Sequence, residues 1–186
     1  DLERTRNEAM ANLHGQETAC FENRYRHKDG SYRWLSWRAK PDEARGLVYG
    51  VAVDISRQKE SEARLRESEA QFRRIADAAP AMLWITEADG SCSFLSQGWY
   101  SFSGQTEKEA LGFGWLNAIH PDDRPMAEQA FRNANTHQIP FQLDYRLRNA
   151  SGAYRWAVDA GQPRFNEDKQ FMGFVGSVID IDERKQ

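Results

Sequence analysis

The sequence predicts an α+β fold built on antiparallel sheet. Three observations carry this. Short segments alternate apolar and polar residues and are separated by Asp-Gly or Ser-Gly turns. One long run of helix formers, residues 56–80, stands between two groups of such segments. The two groups also match each other at specific residues. Alternation with period two marks half-buried strands, as in an antiparallel sheet covered on one side.

Residues 1–14 predict a helix with Leu2, Ala9, Met10 and Leu13 on one side. A strand is expected over 21–28, then a hairpin turn at Asp29-Gly30, because glycine accepts the positive φ such turns require. A second strand over 31–39 places Tyr32 and Trp34 on one face. After a loop at 41–45, residues 46–55 (GLVYGVAVDI) predict a third, more buried strand. Residues 56–80 are rich in Ala, Glu, Gln, Arg and Leu, all strong helix formers. Ser56 or Asp54 is the expected cap. Leu65, Phe72 and Ala79 are seven apart and Ile75 takes the complementary position, so they fit a heptad seam that Ser61 and Ser68 weaken. This is a connecting helix whose stripe docks or dimerises; a solvated spacer helix is the other reading.

Beyond Pro80, strands are expected over 82–87 and 92–96, around a turn at Asp89-Gly90. Residues 97–103 predict a short helical turn, and Thr106 with Glu109 forms a capping box that opens a brief helix. Residues 113–119 form an apolar turn. Asp122 or Asp123 caps a longer helix, with Pro125 tolerated in its first turn and Met126, Ala130 and Phe131 presented on it. Strands over 141–148, 153–163 and 171–181 complete the pattern.

The repeat is specific. Tyr25-Arg26 corresponds to Tyr145-Arg146, and Tyr32-Arg33-Trp34 to Tyr154-Arg155-Trp156. The strand Gly50 to Ile55 corresponds to Gly176 to Ile181, and both end in Asp-Ile. The segment 81–121 precedes the second copy and has no counterpart before the first. Repeat one therefore reads as a half and repeat two as whole, and a three-stranded sheet alone would leave an edge and an apolar face uncovered.

Bulk properties narrow the function. The 186 residues are 40% hydrophobic and 12% aromatic, enough for a packed core. A net charge of −3 argues against a general nucleic-acid surface. No apolar run reaches the ~20 residues a membrane span needs. The charged first residues do not read as a signal peptide. Cys20 and Cys92 are isolated, without metal-ligand spacing, and a reducing cytoplasm is the expected compartment.

These motifs resemble the PAS family of sensory domains. The G-x-Y-R-W segments and the Gly-containing strand ending in Asp-Ile resemble the family's C-terminal half, the PAC motif. Strand 82–87, Gly104, Leu111-Gly112 with Trp115, and His120-Pro121-Asp122-Asp123 resemble its N-terminal half, in order. The resemblance implies a five-stranded antiparallel sheet with short helices on one face, preceded here by a C-terminal half repeat (1–56) and a connecting helix (57–80). The complete domain would span 81–182, with an exit helix starting at 183–186. It implies a sensory and dimerising module of a larger signalling protein, such as a sensor histidine kinase of a two-component system or a diguanylate cyclase. Signal would leave each repeat at Asp54-Ile55 and Asp180-Ile181, and Leu65, Phe72 and Ile75 would serve the linker or dimer. The expected partners are a second copy of the chain and a downstream output domain. Neither nucleic acid nor a membrane is expected to contact this segment, although the parent protein can be anchored elsewhere.

A ligand held in repeat two would be lined by Trp84, Phe94, Ser96, Trp99, Phe102, Trp115, Phe131, Tyr145, Trp156 and Ser177, an apolar lining equally expected of a filled core. No cofactor is indicated. The cysteine motif of flavin-binding members is absent, and His137 and His120 read as loop residues rather than haem ligands. Cys92 reads as a packing residue. Arg146 and Arg155 with Asp144 and Asp159 are expected on the sheet's outer face, either paired across strands or simply solvating the sheet. No catalytic constellation or metal cluster is present, so an enzymatic reading is disfavoured. A ligand-free structural spacer remains the alternative to sensing.

Overall fold

The computed structural model describes residues 1–182, so the exit helix expected at 183–186 lies outside the described residues. The chain divides between Ala70 and Gln71 into two compact units.

The first unit opens with helix α1 (Leu2–Leu13), followed by strands β1 (Thr18–Arg26), β2 (Tyr32–Asp42) and β3 (Leu47–Asp54). The strands form one antiparallel sheet in the order β1-β2-β3. Strand β2 extends through Pro41, inside the expected loop. Proline is tolerated there because pairing with β1 ends at Ala39 and only β3 continues alongside. α1 turns a polar side to the sheet. The Asn12 amide donates to Thr18 Oγ1 at 2.7 Å, and the Asn23 amide donates to Thr5 Oγ1 at 2.8 Å. Leu2, Met10 and Leu13 are exposed instead. The expected burial of β3 is also corrected: every residue of the strand is exposed, Val51 at 66%. Apolar β-branched residues favour a covered strand, yet β3 sits at the sheet edge and its Leu-Val-Tyr-Val side chains face open space.

Helix α2 (Ser56–Ala78) is continuous across the division. Asp54, not Ser56, caps it: the Asp54 carboxylate accepts the Ser56 N–H at 2.9 Å. Leu65 and Ile75 are 61% and 64% exposed, and the buried apolar residue of the helix is Ala76, off the heptad seam. Within the second unit, Phe72 packs on Phe94 with ring centroids 5.2 Å apart. The Asp77 carboxylate accepts the Gln97 N–H at 2.7 Å.

The second unit continues with β4 (Met82–Thr86), β5 (Cys92–Leu95), α3 (Gln97–Ser103), α4 (Glu107–Ala110), a 3-10 turn (Gly114–Ala118), α5 (Arg124–His137), β6 (Phe141–Arg148), β7 (Tyr154–Phe165) and β8 (Phe171–Asp180). Its antiparallel sheet runs β5-β4-β8-β7-β6. The short helices lie between β5 and β6 in sequence. The capping box at Thr106 and Glu109 forms as expected, with the Glu109 carboxylate accepting the Thr106 N–H at 2.9 Å. On α5 the buried residues are Ala127, Phe131 and Ala134, while Met126 is exposed. Asp123 precedes α5 but its carboxylate does not cap the helix. It takes the Arg146 backbone N–H at 2.9 Å and grips the guanidinium at 2.7 and 2.8 Å. This closes the free edge of β6, which would otherwise expose unpaired backbone groups.

Two glycines let an indole cross the sheet. The Trp84 ring, from β4, lies over Gly176 of β8 and reaches Gly161 of β7. A Cβ on Gly176 would meet that ring and the Ala160 carbonyl closer than real Cβ atoms come, and a Cβ on Gly161 would meet Trp84 and Phe141. Gly50, the repeat-one counterpart of Gly176, has only the Arg38 carbonyl nearby, at 3.8 Å. Chemical denaturation should therefore separate the two positions. Gly176→Ala is expected to lose about 1–3 kcal/mol by overpacking, whereas Gly50→Ala should change stability by less than about 0.5 kcal/mol. Equal losses would refute the crossing.

Candidate functional site

The interior of the second unit collects aromatic rings from the sheet and the helices above it. Trp84 stacks on Phe141 with centroids 5.9 Å apart. Phe131 of α5 sets its edge toward Trp84, Trp115 and Phe141. Between them remains a cavity of about 20 Å³, also bordered by Thr86, Cys92, Leu95, Trp99, Tyr145, Asp159 and Val178. That is room for about one water molecule, so the core is essentially filled.

Sequence reasoning placed Trp84, Trp99, Trp115, Phe131 and Tyr145 in this lining, and they are there. Phe94 instead packs against Phe72, and Ser96 pins α3 to β4 by accepting the Leu83 N–H at 2.9 Å. Phe102 packs at the core margin. Trp156 and Ser177 are out of phase with the buried residues of β7 and β8 and do not line the cavity. Strand β7 turns Ala157, Asp159 and Gly161 inward, leaving its large Trp156 on the other face.

Asp159 is the residue that sequence reasoning misplaced. It does not pair on the outer face; it is 5% exposed, in the core. Trp84 Nε1–H donates to Oδ1 at 2.8 Å and the Tyr145 hydroxyl donates to Oδ2 at 3.1 Å. Burial disfavours the charged form and lifts the carboxyl from its ordinary 3.8 to about 7, although the two donors pull it down. Tyr145 is pushed well above its ordinary value by the same burial and the neighbouring carboxylate. The available signal was the run of small inward positions, Ala157, Asp159 and Gly161, opposite Trp84. The two arginines expected beside Asp159 bind elsewhere: Arg146 on Asp123, and Arg155 on Asp180 at 2.8 Å.

Cys92 is buried and its thiol is raised to about 11, so it stays protonated and unreactive at neutral pH. His137 Nδ1 lies 2.9 Å from the Asn133 carbonyl, and His120 packs edge-on against Tyr154 at 4.5 Å. Among the described residues no group of His, Cys, Asp and Glu is placed to hold a metal ion. No described helix is long and apolar enough to cross a membrane.

Repeat one carries different interior chemistry at the matching positions. Trp37 stands where repeat two has Asp159. Its indole N–H donates to Asn23 Oδ1 at 2.9 Å, and its ring packs on Tyr25 at 5.3 Å. An open groove of about 360 Å³ borders Trp37, Tyr25, Asn12 and Gly50.

The two strand exits are nearly identical. In repeat one, Ile55 N–H donates to the Trp34 carbonyl at 2.9 Å and Trp34 N–H donates to Ser56 Oγ at 2.9 Å. In repeat two, Ile181 N–H donates to the Trp156 carbonyl at 2.8 Å and Trp156 N–H donates to Asp182 Oδ1 at 3.2 Å. The Asp54 and Asp180 carboxylates each accept the N–H two residues on, at 2.9 and 3.0 Å. Each Asp-Ile end is thereby tied to the Tyr-Arg-Trp strand beside it.

The second unit thus combines a five-stranded antiparallel sheet, helices over one face and an Asp-Ile exit. The PAS fold model matches residues 1–52 and 93–178, and the chain belongs to that family, whose domains are sensory, non-catalytic modules. An uncharacterised protein, y4lL, of Sinorhizobium fredii is 41% identical across 100% of this chain, which covers 23% of that protein. The peroxide stress-activated histidine kinase mak1 of Schizosaccharomyces pombe is 26% identical across 100% of this chain, which covers 12% of the kinase. The chain thus spans about a quarter or less of these curated relatives. The N-terminal domain of a diguanylate cyclase with PAS/PAC sensor from Marinobacter aquaeolei aligns at a TM-score of 0.52. It is 16% identical over 57% of this chain and 99% of its own, and shares the fold.

The buried carboxyl has a measurable consequence. A carboxyl raised in the folded state binds a proton that the unfolded chain has released, so folding stability falls as pH rises from about 4 to about 7 and then levels. Asp159→Asn removes this contribution. Urea unfolding across that range should show the wild type losing on the order of 4 kcal/mol relative to the variant. Parallel profiles would show that Asp159 does not titrate there.

Proposed function

We propose that the chain is a sensory and dimerising segment of a larger signal-transduction protein, relaying a change in the PAS interior through the Asp-Ile exits. The observation that carries this reading is the duplicated exit geometry. A shift of the Tyr-Arg-Trp strand is felt directly at the residues that leave each Asp-Ile end, because backbone bonds of 2.8–2.9 Å join them. Similarity to mak1 supports a place upstream of a kinase-type output domain. Residues 1–56 act as the C-terminal half of a PAS domain, 57–80 as the connecting signalling helix and 81–182 as a complete PAS domain. The exposed β3 and the groove over Gly50 support the half-domain reading, since β8 at the same position is paired by β4 and covered by Trp84. A segment of the longer protein would supply the corresponding strand. The module works in the cytoplasm and carries no catalytic group of its own.

The exposed stripe of Leu65 and Ile75, with Phe72 46% exposed, supports a parallel helix contact between two copies. Light scattering at rising concentration should report a dimer, and Leu65→Glu with Ile75→Glu should return it to monomer. A monomer at every concentration would sink the dimer. A second reading, a ligand-free structural spacer, is favoured by the nearly filled cavity of about 20 Å³. Native mass spectrometry distinguishes them: a reproducible added mass per chain identifies a resident ligand beside Trp84, Trp99, Trp115, Phe131 and Tyr145. A clean mass favours the spacer.

A further inference from the structure

Among the described residues, the second unit buries one carboxyl group in its core, Asp159, and the sensory reading gives that group a role. The Asp159 carboxyl is bound by donors from two other strands: Trp84 of β4 and Tyr145 of β6. Both donors are neutral. The titratable groups facing it are Tyr145 and, from β5, Cys92. The remaining elements present uncharged side chains to the cavity: Thr86 from β4, Val178 from β8, Trp99 from α3, Phe131 from α5 and Trp115 from the 3-10 turn. Among the described residues, no lysine, arginine or histidine borders that cavity.

We propose that Asp159 is a proton-binding site and that its proton is the signal of this unit. The proposal rests on the sensory reading above. The bonding geometry defines what protonation does. An indole N–H only donates, so Oδ1 must remain the acceptor of Trp84. The proton, taken from bulk solvent and returned to it, adds to Oδ2. That oxygen then becomes a donor, and the Tyr145 hydroxyl must turn from donating to accepting. The cavity beside it leaves the hydroxyl room to turn. No other bond is made or broken, and no oxidant or cofactor takes part.

The consequence travels along β7. Asp159 pairs with Val178 of β8, and three residues earlier Trp156 holds Ile181 and Asp182 through its backbone. Ionised, the carboxylate holds Trp84 and Tyr145 through charge-assisted bonds; protonated, it holds both through neutral bonds, and the link between β7 and β6 reverses its direction. Repeat one lacks this switch, since Trp37 occupies the matching position.

The test is an NMR titration of the uniformly 15N-labelled chain from about pH 5 to about pH 9, a window centred on the acid's raised range. The Trp84 indole N–H should shift with a single-proton inflection near neutrality, and the Ile181 amide should shift with the same midpoint. Asp159→Asn should abolish both inflections. Tyr145→Phe should move the midpoint upward, because it removes a donor that favours the carboxylate; if the Asn variant fails to fold, this shift carries the assignment. A flat Trp84 profile overturns proton binding and leaves the sensory reading standing. A titrating Trp84 with an unmoved Ile181 amide overturns the proton as signal and speaks against relay through the exit.

Discussion

The second unit depends on keeping one carboxyl group satisfied in an apolar interior. Burying an ionised carboxylate without partners is prohibitive, so its neighbours are arranged around it. Trp84 must bring its N–H across β8, which requires glycine at 176 and glycine at 161. Tyr145 must come from β6 with its hydroxyl aimed at the same group. With Trp84 flat on the sheet, Phe131 and Phe141 pack against it and the helices close over them. Little space remains, which is why the interior holds a cavity of water size rather than a pocket for a metabolite.

The duplication separates what the fold needs from what each copy does. Both copies keep the Asp-Ile exit and its backbone bonds to the Tyr-Arg-Trp strand. Their interiors diverge: an amide and an indole in one, a carboxyl with a tyrosine and an indole in the other. The exit geometry is thus common to both copies while their interiors differ.

Much of this was legible beforehand. The repeat, the order of strands and helices and the capping box at Thr106 follow from periodicity and motif, and five of the cavity aromatics, Trp84, Trp99, Trp115, Phe131 and Tyr145, from the family resemblance. Three features were not. Strand β3 reads as buried because its residues are apolar, yet whether a strand is covered depends on what lies over it. Asp123 reads as a helix cap because of its position, yet Arg146 from β6, distant in sequence, competes for the same carboxylate and offers a charged partner. Trp156 reads as core because it is the largest residue of its strand. The inward face instead carries alanine, aspartate and glycine, since Trp84 of β4 and Phe141 of β6 fill that space with their rings.

The amino-acid sequence by itself determined the local elements, their duplication and the family, because these depend on periodicity, turn chemistry and motifs within a few residues of one another. Only the tertiary structure decided which face of β7 points inward, and so brought Asp159 from the expected surface to the centre of the core. That choice depends on volumes and hydrogen-bond donors contributed by β4 and β6. No window along the chain contains Trp84, Tyr145 and Asp159 together.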